Sequence, residues 1–420
     1  MRGRRRPQYC PNNDRMRGPM DHPVYLGPRD LELVSVDSRM TKNIVDLLAR
    51  LGPIDRRRLT EEIGVGRSTV SRAIGQLLDA RIAIELDTPP RGRGRPQTLL
   101  AVNPQVASAI GLYYGLRHVL AAIVDPAHRI LGTAEAFLGL DYTVEDAIQT
   151  SLRLIAELEQ QQTGPIVGVG LALPGPMDRT EMTLTYSSIL PHWAGVQFLD
   201  LIRGHLPYPV VADNESNLAA HAEKLWGAAT DLDTIIFLKL HSGVGGAIVM
   251  HGQVVRGQRG AAGEFGHISR NPRGERCRCG RRGCLEASIG IPRLLEHLSE
   301  AHGRAISFPE ALELLRDGDR ACGDLIRTAG YEAGRALGTL CNVLDPRAII
   351  VGGALTQAGE PLFSAITTGL RASALPMHNG IPLRTAVLGR FASALGATGL
   401  VMASGFDQLL ARRWAGMSQG

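Results

Sequence analysis

GEFGHISRNPRGERCRCGRRGCLE, residues 263–286, is the stretch that decides the fold. Three of the chain's six cysteines, Cys277, Cys279 and Cys284, fall in its core CRCGRRGC, and His267 stands ten residues before the first of them. A Cys₃His set on a glycine-rich knuckle suits tetrahedral zinc, which takes thiolate sulfur and imidazole nitrogen. Arg276, Arg278, Arg281 and Arg282 would favour the thiolate forms. A disulfide is the rival reading, opposed by the odd number of thiols and by a reducing compartment. The Cys-x-Cys spacing differs from the Cys-x₂-Cys of zinc fingers, so local spacing supports zinc without compelling it. Cys10, Cys322 and Cys341 read as a tail thiol and two core residues.

Outward from the knuckle the texture is α/β. VASAIGLYYG and HVLAAIVD, after Asn103-Pro104, predict a β-hairpin, and residues 143–160 a helix. PIVGVGLALPG reads as a buried strand running into a Gly/Pro loop. YPVVADNESNLAAHAEKLWG reads as strand, polar turn and helix. DTIIFLKLHSGVGGAIVMHGQVV is a second hairpin with glycines at its centre. Helices fill 290–340, PRAIIVGGAL is a strand meeting glycines, and 391–413 is a closing helix. No internal repeat is strong enough to claim.

The N-terminal quarter differs. Residues 1–30 lack apolar periodicity and read as a basic disordered tail, with Met16 and Met20 as alternative starts. Ile44, Leu47, Leu48 and Leu51 recur at helical spacing, and Gly52-Pro53 ends that helix. DRRRLTEEI fits a second helix with Asp55 as N-cap. A turn at Gly64-Val65-Gly66 leads to a third, RSTVSRAIGQLL, with Val70, Ile74, Leu77 and Leu78 on one face. Two β-like runs, 82–86 and 98–102, flank the loop 87–96. Three helices and a hairpin describe a winged helix-turn-helix over 31–102. The third helix offers Arg67, Ser68, Thr69, Ser71, Arg72 and Gln76 opposite its apolar face, groups suited to phosphates and base edges in a major groove. Arg91-Gly-Arg93-Gly-Arg95-Pro96 is a wing whose arginines, spaced by glycine, suit a narrow minor groove. The helix by itself already favours DNA, with an ordinary solvated face as the rival reading; the loop alone reads more often as a flexible charged linker, and their combination argues for double-stranded DNA.

Composition agrees. At 420 residues with 44% hydrophobic and 21% charged residues, the chain is long enough for two or three domains with real cores and is neither disordered nor fibrous. No apolar run approaches a membrane span, and no apolar run follows the first arginines as in a secretory signal, so a cytoplasmic protein without membrane contact is expected. Residues 1–100 carry 19 Lys+Arg against 12 Asp+Glu, and the remainder 27 against 29, so the net +5 is +7 on the N-terminal quarter and −2 elsewhere. Such asymmetry points the first quarter toward a polyanion. Three of the 46 basic residues are lysine, which a GC-rich genome explains as readily as selection for arginine chemistry.

The knuckle string, with GVGLALPGPMD (168–178), DNESN (213–217), SGVGGAIV (242–249) and LDPRAIIVGGAL (344–355), resembles the ROK family of repressors and sugar kinases. The resemblance runs from about residue 31 almost to the end. It implies an actin-like, ribonuclease-H-type α/β sensor over 103–420, in two lobes of about 103–213 plus 395–420 and 214–394, with a sugar in the cleft between them. It implies one structural zinc on His267, Cys277, Cys279 and Cys284. It implies sugar contacts from Asn214, Glu264, His267 and Glu286, with Glu215 beside them. Carboxylates and imidazole pair directionally with hydroxyls, and a metal-bound His keeps one nitrogen for a ligand. Without the resemblance, Glu264 and Glu286 would read as surface carboxylates.

The sequence departs from the family's kinases in two places. Their first hairpin carries an Asp-x-Gly-Gly-Thr-Lys-like phosphate cradle; here Leu112-Tyr-Tyr-Gly-Leu-Arg117 lacks the paired glycines, Thr and Lys. Glu215 stands where they place a catalytic Asp, and a displaced carboxylate is poorly placed for proton transfer. Both argue against ATP-dependent phosphorylation. Gly243, Gly245, Gly352 and Gly353 then read as relics of a nucleotide fold. Ile189 also stands where sugar-binding members often carry Asn, which puts the sugar's identity in doubt. The expected function is a DNA-binding transcriptional regulator, read as a repressor, controlled by a sugar and acting as homodimer or homotetramer on a palindromic operator. A sugar kinase retaining a DNA-binding arm, and a regulator without small-molecule effector, are the alternatives.

Overall fold

The computed structural model describes residues 36–87, 98–140, 142–178, 183–185, 187 and 190–417, with side chains left aside at 36–39 and 405–417. The basic tail, Cys10, the wing arginines Arg91, Arg93 and Arg95, and Ile189 lie outside the described residues.

Helix α1 (Val36–Leu51) buries Ile44, Val45 and Leu48. Gly52, at φ 73°, closes it as a left-handed C-cap that a side chain would strain. Strand β1 (Ile54–Asp55) precedes α2 (Arg56–Ile63), whose N-cap Asp55 accepts from the Arg58 N–H at 2.9 Å. Helix α3 (Arg67–Asp79) buries Val70, Ala73, Ile74 and Leu77. Strands β2 (Ala83–Asp87) and β3 (Thr98–Val102) pair antiparallel from Ala83↔Val102 to Asp87↔Thr98. The sequence predicts only this hairpin. The structure adds β1 against β3 through Ile54↔Leu100. A two-residue strand, Ile54 and the N-cap Asp55 itself, is too short to show a period.

The rest of the chain lays down one sheet plan twice. Strands β4 (Ser108–Tyr114), β5 (His118–Val124) and β6 (Ile130–Phe137) form an antiparallel meander. Helix α4 (Val144–Glu159) starts on a Thr143/Asp146 capping box and crosses to β7 (Ile166–Leu173), parallel to β4. A short pair, β8 (Met177–Asp178) and β9 (Thr183–Leu184), and α5 (Phe198–Arg203) lead to β10 (Val210–Asn214), parallel to β7, and then α6 (Glu215–Trp226). The order is β10-β7-β4-β5-β6.

The second pass gives β13-β12-β11-β14-β15. Strands β11 (Ile235–Leu240), β12 (Val244–Met250) and β13 (Gln253–Val255) make the meander. The knuckle follows, with α7 (Leu285–Ile289), α8 (Ile291–His302), α9 (Phe308–Arg316) and the long α10 (Arg320–Leu344). Strand β14 (Ala348–Gly352), α11 (Glu360–Arg371), β15 (Leu383–Thr385) and α12 (Ala392–Met417) complete it, both strands parallel to β11. Cys322 and Cys341 are buried in this half.

The final helices cross over. Helix α12 lies on β4 and β7 of the first sheet, while α6 packs Ala219 and Ala220 into a core with Phe237 and Ala247 of the second. Glycines allow the approach: a Cβ at Gly170 would stand 2.3 Å from the Ala397 carbonyl oxygen, and one at Gly396 would stand 1.8 Å from that of Leu218. The N-terminal core around Ile44, Leu77 and Leu100 is continuous through Val102 and Val106 with the first sheet and with Val401 and Met402 of α12.

Candidate metal knuckle and ligand crevice

The knuckle starts where β13 leaves the second sheet. A 3₁₀ turn at Phe265–His267 presents His267, and Cys284 is the N-cap of α7. Bridges Ser269↔Cys284 and Arg276↔Arg282 fold the intervening loop back on itself. Gly283, at φ 69°, is required there: a Cβ would stand 1.6 Å from the Asn271 carbonyl oxygen. The ligand atoms of His267, Cys277, Cys279 and Cys284 all lie within 4.8 Å of one another. Cys277 Sγ is 3.7 Å from His267 Nδ1, and Cys279 Sγ is 3.6 Å from Cys284 Sγ. The latter is far beyond the roughly 2.05 Å of a disulfide. It is close to the ~3.8 Å between two sulfurs that each lie ~2.3 Å from one tetrahedral ion. All three thiols are free. Burial pushes the Cys277 thiol up to about 12, so a neutral pocket would hold it protonated and a cation is what would draw out the thiolate. The cluster can hold a metal ion.

The other nitrogen of His267, Nε2, lies 3.9 Å from Glu264 Oε2. Asn214 donates its side-chain N–H to Glu264 Oε1 at 3.5 Å, while its own Oδ1 caps α6 by accepting from Ser216 and Asn217 at 2.7 and 3.3 Å. Glu286 Oε2 accepts from the Val244 N–H at 3.1 Å. Asn214, Glu264, His267 and Glu286 thus meet between the two sheets. Burial, then the charges of Glu286 and Glu215, push Glu264 up to about 7. Asp213 is held by Arg256 Nε at 2.5 Å and by Asn217 at 3.1 Å, which fixes the strand end that carries Asn214.

Glu215 does not turn toward this group. Lys239 donates to its Oε2 at 2.6 Å and to the Tyr113 hydroxyl at 3.2 Å, and lies 4.7 Å from the Tyr113 ring centre. Lys239 went unrecognised in the sequence; its signal was a lysine inside the apolar strand IIFLKL. Tyr113 also meets His118 edge-on at 5.6 Å. Tyr114 is fully buried against Phe198 and Trp193, its hydroxyl 2.8 Å from Ser151 Oγ. The first hairpin therefore carries two packed aromatic rings where a phosphate cradle needs small residues.

On α3, Arg67, Ser68, Ser71 and Arg72 are exposed and Thr69 and Gln76 half-buried, all away from the apolar face.

Residues 109–404 match the sequence model of the ROK family. The xylose repressor of Bacillus spizizenii is 25% identical over 366 residues, covering 86% of this chain and 94% of that protein. A crystal structure of a ROK family transcriptional regulator, described as a homolog of the E. coli Mlc protein, superposes with a TM-score of 0.74 at 24% identity, covering 89% and 98% of the two chains. A ROK family glucokinase from Streptomyces griseus, solved with glucose and AMPPNP, matches at 0.64 and 28% identity, over 70% of this chain and 98% of its own.

Proposed function

The chain belongs to the ROK family, and from that premise we propose that it is a transcriptional repressor whose hold on DNA is set by a sugar in the crevice. One observation carries the reading. Similarity to the xylose repressor covers 86% of the chain, more than the matched family segment, and so takes in part of the three-helix module that a kinase does not need. In this reading 31–102 is a winged helix-turn-helix and 103–420 the two-lobed sensor. Arg67, Ser68, Thr69, Ser71, Arg72 and Gln76 of α3 face the major groove, and Arg91, Arg93 and Arg95 the minor groove.

The sugar lies against Asn214, Glu264, His267 and Glu286, with Glu215 at the edge of the set. Zinc, one per chain, is held by His267, Cys277, Cys279 and Cys284. When bound, it fixes the imidazole plane and leaves Nε2 for a hydroxyl. The sugar draws Glu264 and Asn214 together, and closure of the crevice reaches the DNA module through α6 and α12. The assembly is a homodimer or homotetramer on a palindromic operator. No helix among the described residues is long and apolar enough to cross a membrane, and the setting we propose is the cytoplasm.

Phosphoryl transfer is the second reading, favoured by the similarity to the glucokinase. Against it stand the Tyr113 and Tyr114 rings in the first hairpin and the tie of Glu215 to Lys239. The deciding experiment is a genome-wide footprint of bound DNA, followed by titration of the recovered operator with sugars. Release of the operator by a sugar, with no ADP formed from ATP, is the expected result. Sugar-dependent ADP formation would replace this reading with the kinase.

A further inference from the structure

The N-terminal module is not hung on a tether. Strand β3 ends at Val102 and β4 starts at Ser108, so residues 103–107 join the module to the first lobe. None of them is glycine or serine, the residues that make a linker flexible, and Val106 and Ala107 are buried. On the module side, Asn103 grips the exit of α3. Its backbone N–H donates to the Ile82 carbonyl and its side-chain N–H to the Arg81 carbonyl, both at 2.8 Å. Arg81 takes a left-handed backbone, φ 55°, which a side chain adopts at a cost, and two successive carbonyls thereby converge on one residue. Ile82 in turn bonds back to the Leu77 carbonyl of α3.

On the lobe side, the same residues lie against the turn between α4 and β7. Thr163 Oγ1 donates to the Pro104 carbonyl at 2.8 Å, and the Ser108 N–H donates to the Pro165 carbonyl at 2.8 Å. The buried Ser108 Oγ accepts from the Thr163 and Gly164 N–H groups, both at 3.3 Å. Gly164 lets the turn close: a Cβ there would stand 2.5 Å from the Gln105 carbonyl oxygen and 2.7 Å from the Ala107 nitrogen. Beneath these bonds the cores are one, with Val102 and Val106 in a single cluster with Leu77 of α3 and Val401 of α12. Domains joined by small polar interfaces move relative to one another, whereas a continuous apolar seam opposes such motion. Here hydrogen bonds fix both edges of the seam.

We infer that the module and the first lobe move as one rigid body, with Asn103, Thr163 and Gly164 as its positioning residues, so that α3 meets DNA at an angle and spacing the lobe dictates. Helix α6 carries movement between the lobes to that body: Leu218 and Ala222 lie in the shared core, and Ala219 and Ala220 in the core of the second sheet. The inference rests on the repressor reading and says how that repressor measures its operator.

Two measurements on the full-length protein test it. Hydrogen exchange needs no ligand: the amides of Asn103, Val106 and Ser108 should be protected as well as those of β4 and β7. Exchange there at the rate of an unstructured peptide would overturn the inference. The second measurement uses the operator recovered by footprinting, its half-site alone, and a copy with two base pairs inserted between the half-sites, which turns one of them about 70° around the axis. Wild type should lose about tenfold or more in affinity on the spaced copy, the worth of one good base contact. Asn103→Ala with Thr163→Val should shrink that penalty and leave half-site affinity unchanged, a split that general damage to the fold would not produce. A Gly-Ser-Gly-Ser insertion between Pro104 and Gln105 is the second variant, should the first not fold or stay stiff. A wild type that tolerates the added base pairs, or a penalty that both variants keep in full, would overturn the inference and leave the repressor standing. Failure to recover any operator would remove the repressor reading instead, with the exchange data still deciding the joint.

Discussion

Glu264 is the residue on which the crevice turns. It faces His267 and Asn214 and carries the repulsion of two other carboxylates. Glu264→Gln keeps its shape and removes a charged acceptor, so sugar affinity should fall roughly 10–100-fold with little change in melting temperature, as measured by calorimetry and thermal scan. An unchanged affinity would mean the sugar lies elsewhere. Cys279→Ser tests the knuckle. With one thiolate gone, metal content should drop from about one per chain to near zero on elemental analysis. The knuckle residues were legible because a Cys₃His set is chemically specific within one short stretch. Lys239 was less so, because a lysine inside an apolar strand marks an oddity without saying that the fold brings Glu215 and Tyr113 to it.

At the scale of elements, α3 presents its polar groups outward and its apolar groups inward, as the spacing of Val70, Ile74 and Leu77 predicts. Arg72→Ala should weaken operator binding by about 1–3 kcal/mol on an anisotropy titration and leave folding intact. Alanine at both Arg93 and Arg95 should act selectively on A·T-rich sites; equal loss on all DNA would assign them to phosphates instead. Helix α6 holds a second element by a single side chain. Glu223 is fully buried and accepts from the backbone N–H groups of Ala228 at 2.7 Å and of Val387 and Leu388, both at 2.9 Å. Glu223→Ala would remove the shared acceptor of three part-buried N–H groups and cost roughly 1–3 kcal/mol by urea denaturation. The sequence shows a glutamate on a helix; that two of its three partners lie 164 and 165 residues onward is a tertiary fact.

Across the whole molecule, two passes of one sheet plan are joined by exchanged final helices. The repeat was not visible in the sequence because a buried strand tolerates any apolar residue of suitable size, so topology survives where identity does not. The exchange also buries histidines. His221 on α6 and His128 beside Trp226 are both held down to about 4, chiefly by burial. Their folded values lie below the ordinary 6.5, so both are neutral in the fold. Stability is full above about pH 6.5 and falls as pH drops toward 4, because the unfolded chain takes up protons first, at up to about 3 kcal/mol per group. Urea melts of wild type and of His128→Asn with His221→Gln should diverge over that window, the variant having the flatter pH dependence. Metal loss in acid affects both proteins and cancels in the comparison.

The sequence by itself determined the class of each part: a basic three-helix module with a hairpin, a Cys₃His knuckle, and an α/β body without an obvious phosphate cradle. These are local properties, set by periodicity, caps, glycine turns and side chains near one another in the chain. Only the tertiary structure decided how the parts act on one another. It placed Asn214, Glu264, His267 and Glu286 around one space, tied Glu215 to Lys239, laid α12 on the first sheet and carried that sheet's core into the N-terminal module. The physical reason is range. A hydrogen bond or a packed methyl reaches a few ångströms in space, and distance along the chain says little about which groups will come that close.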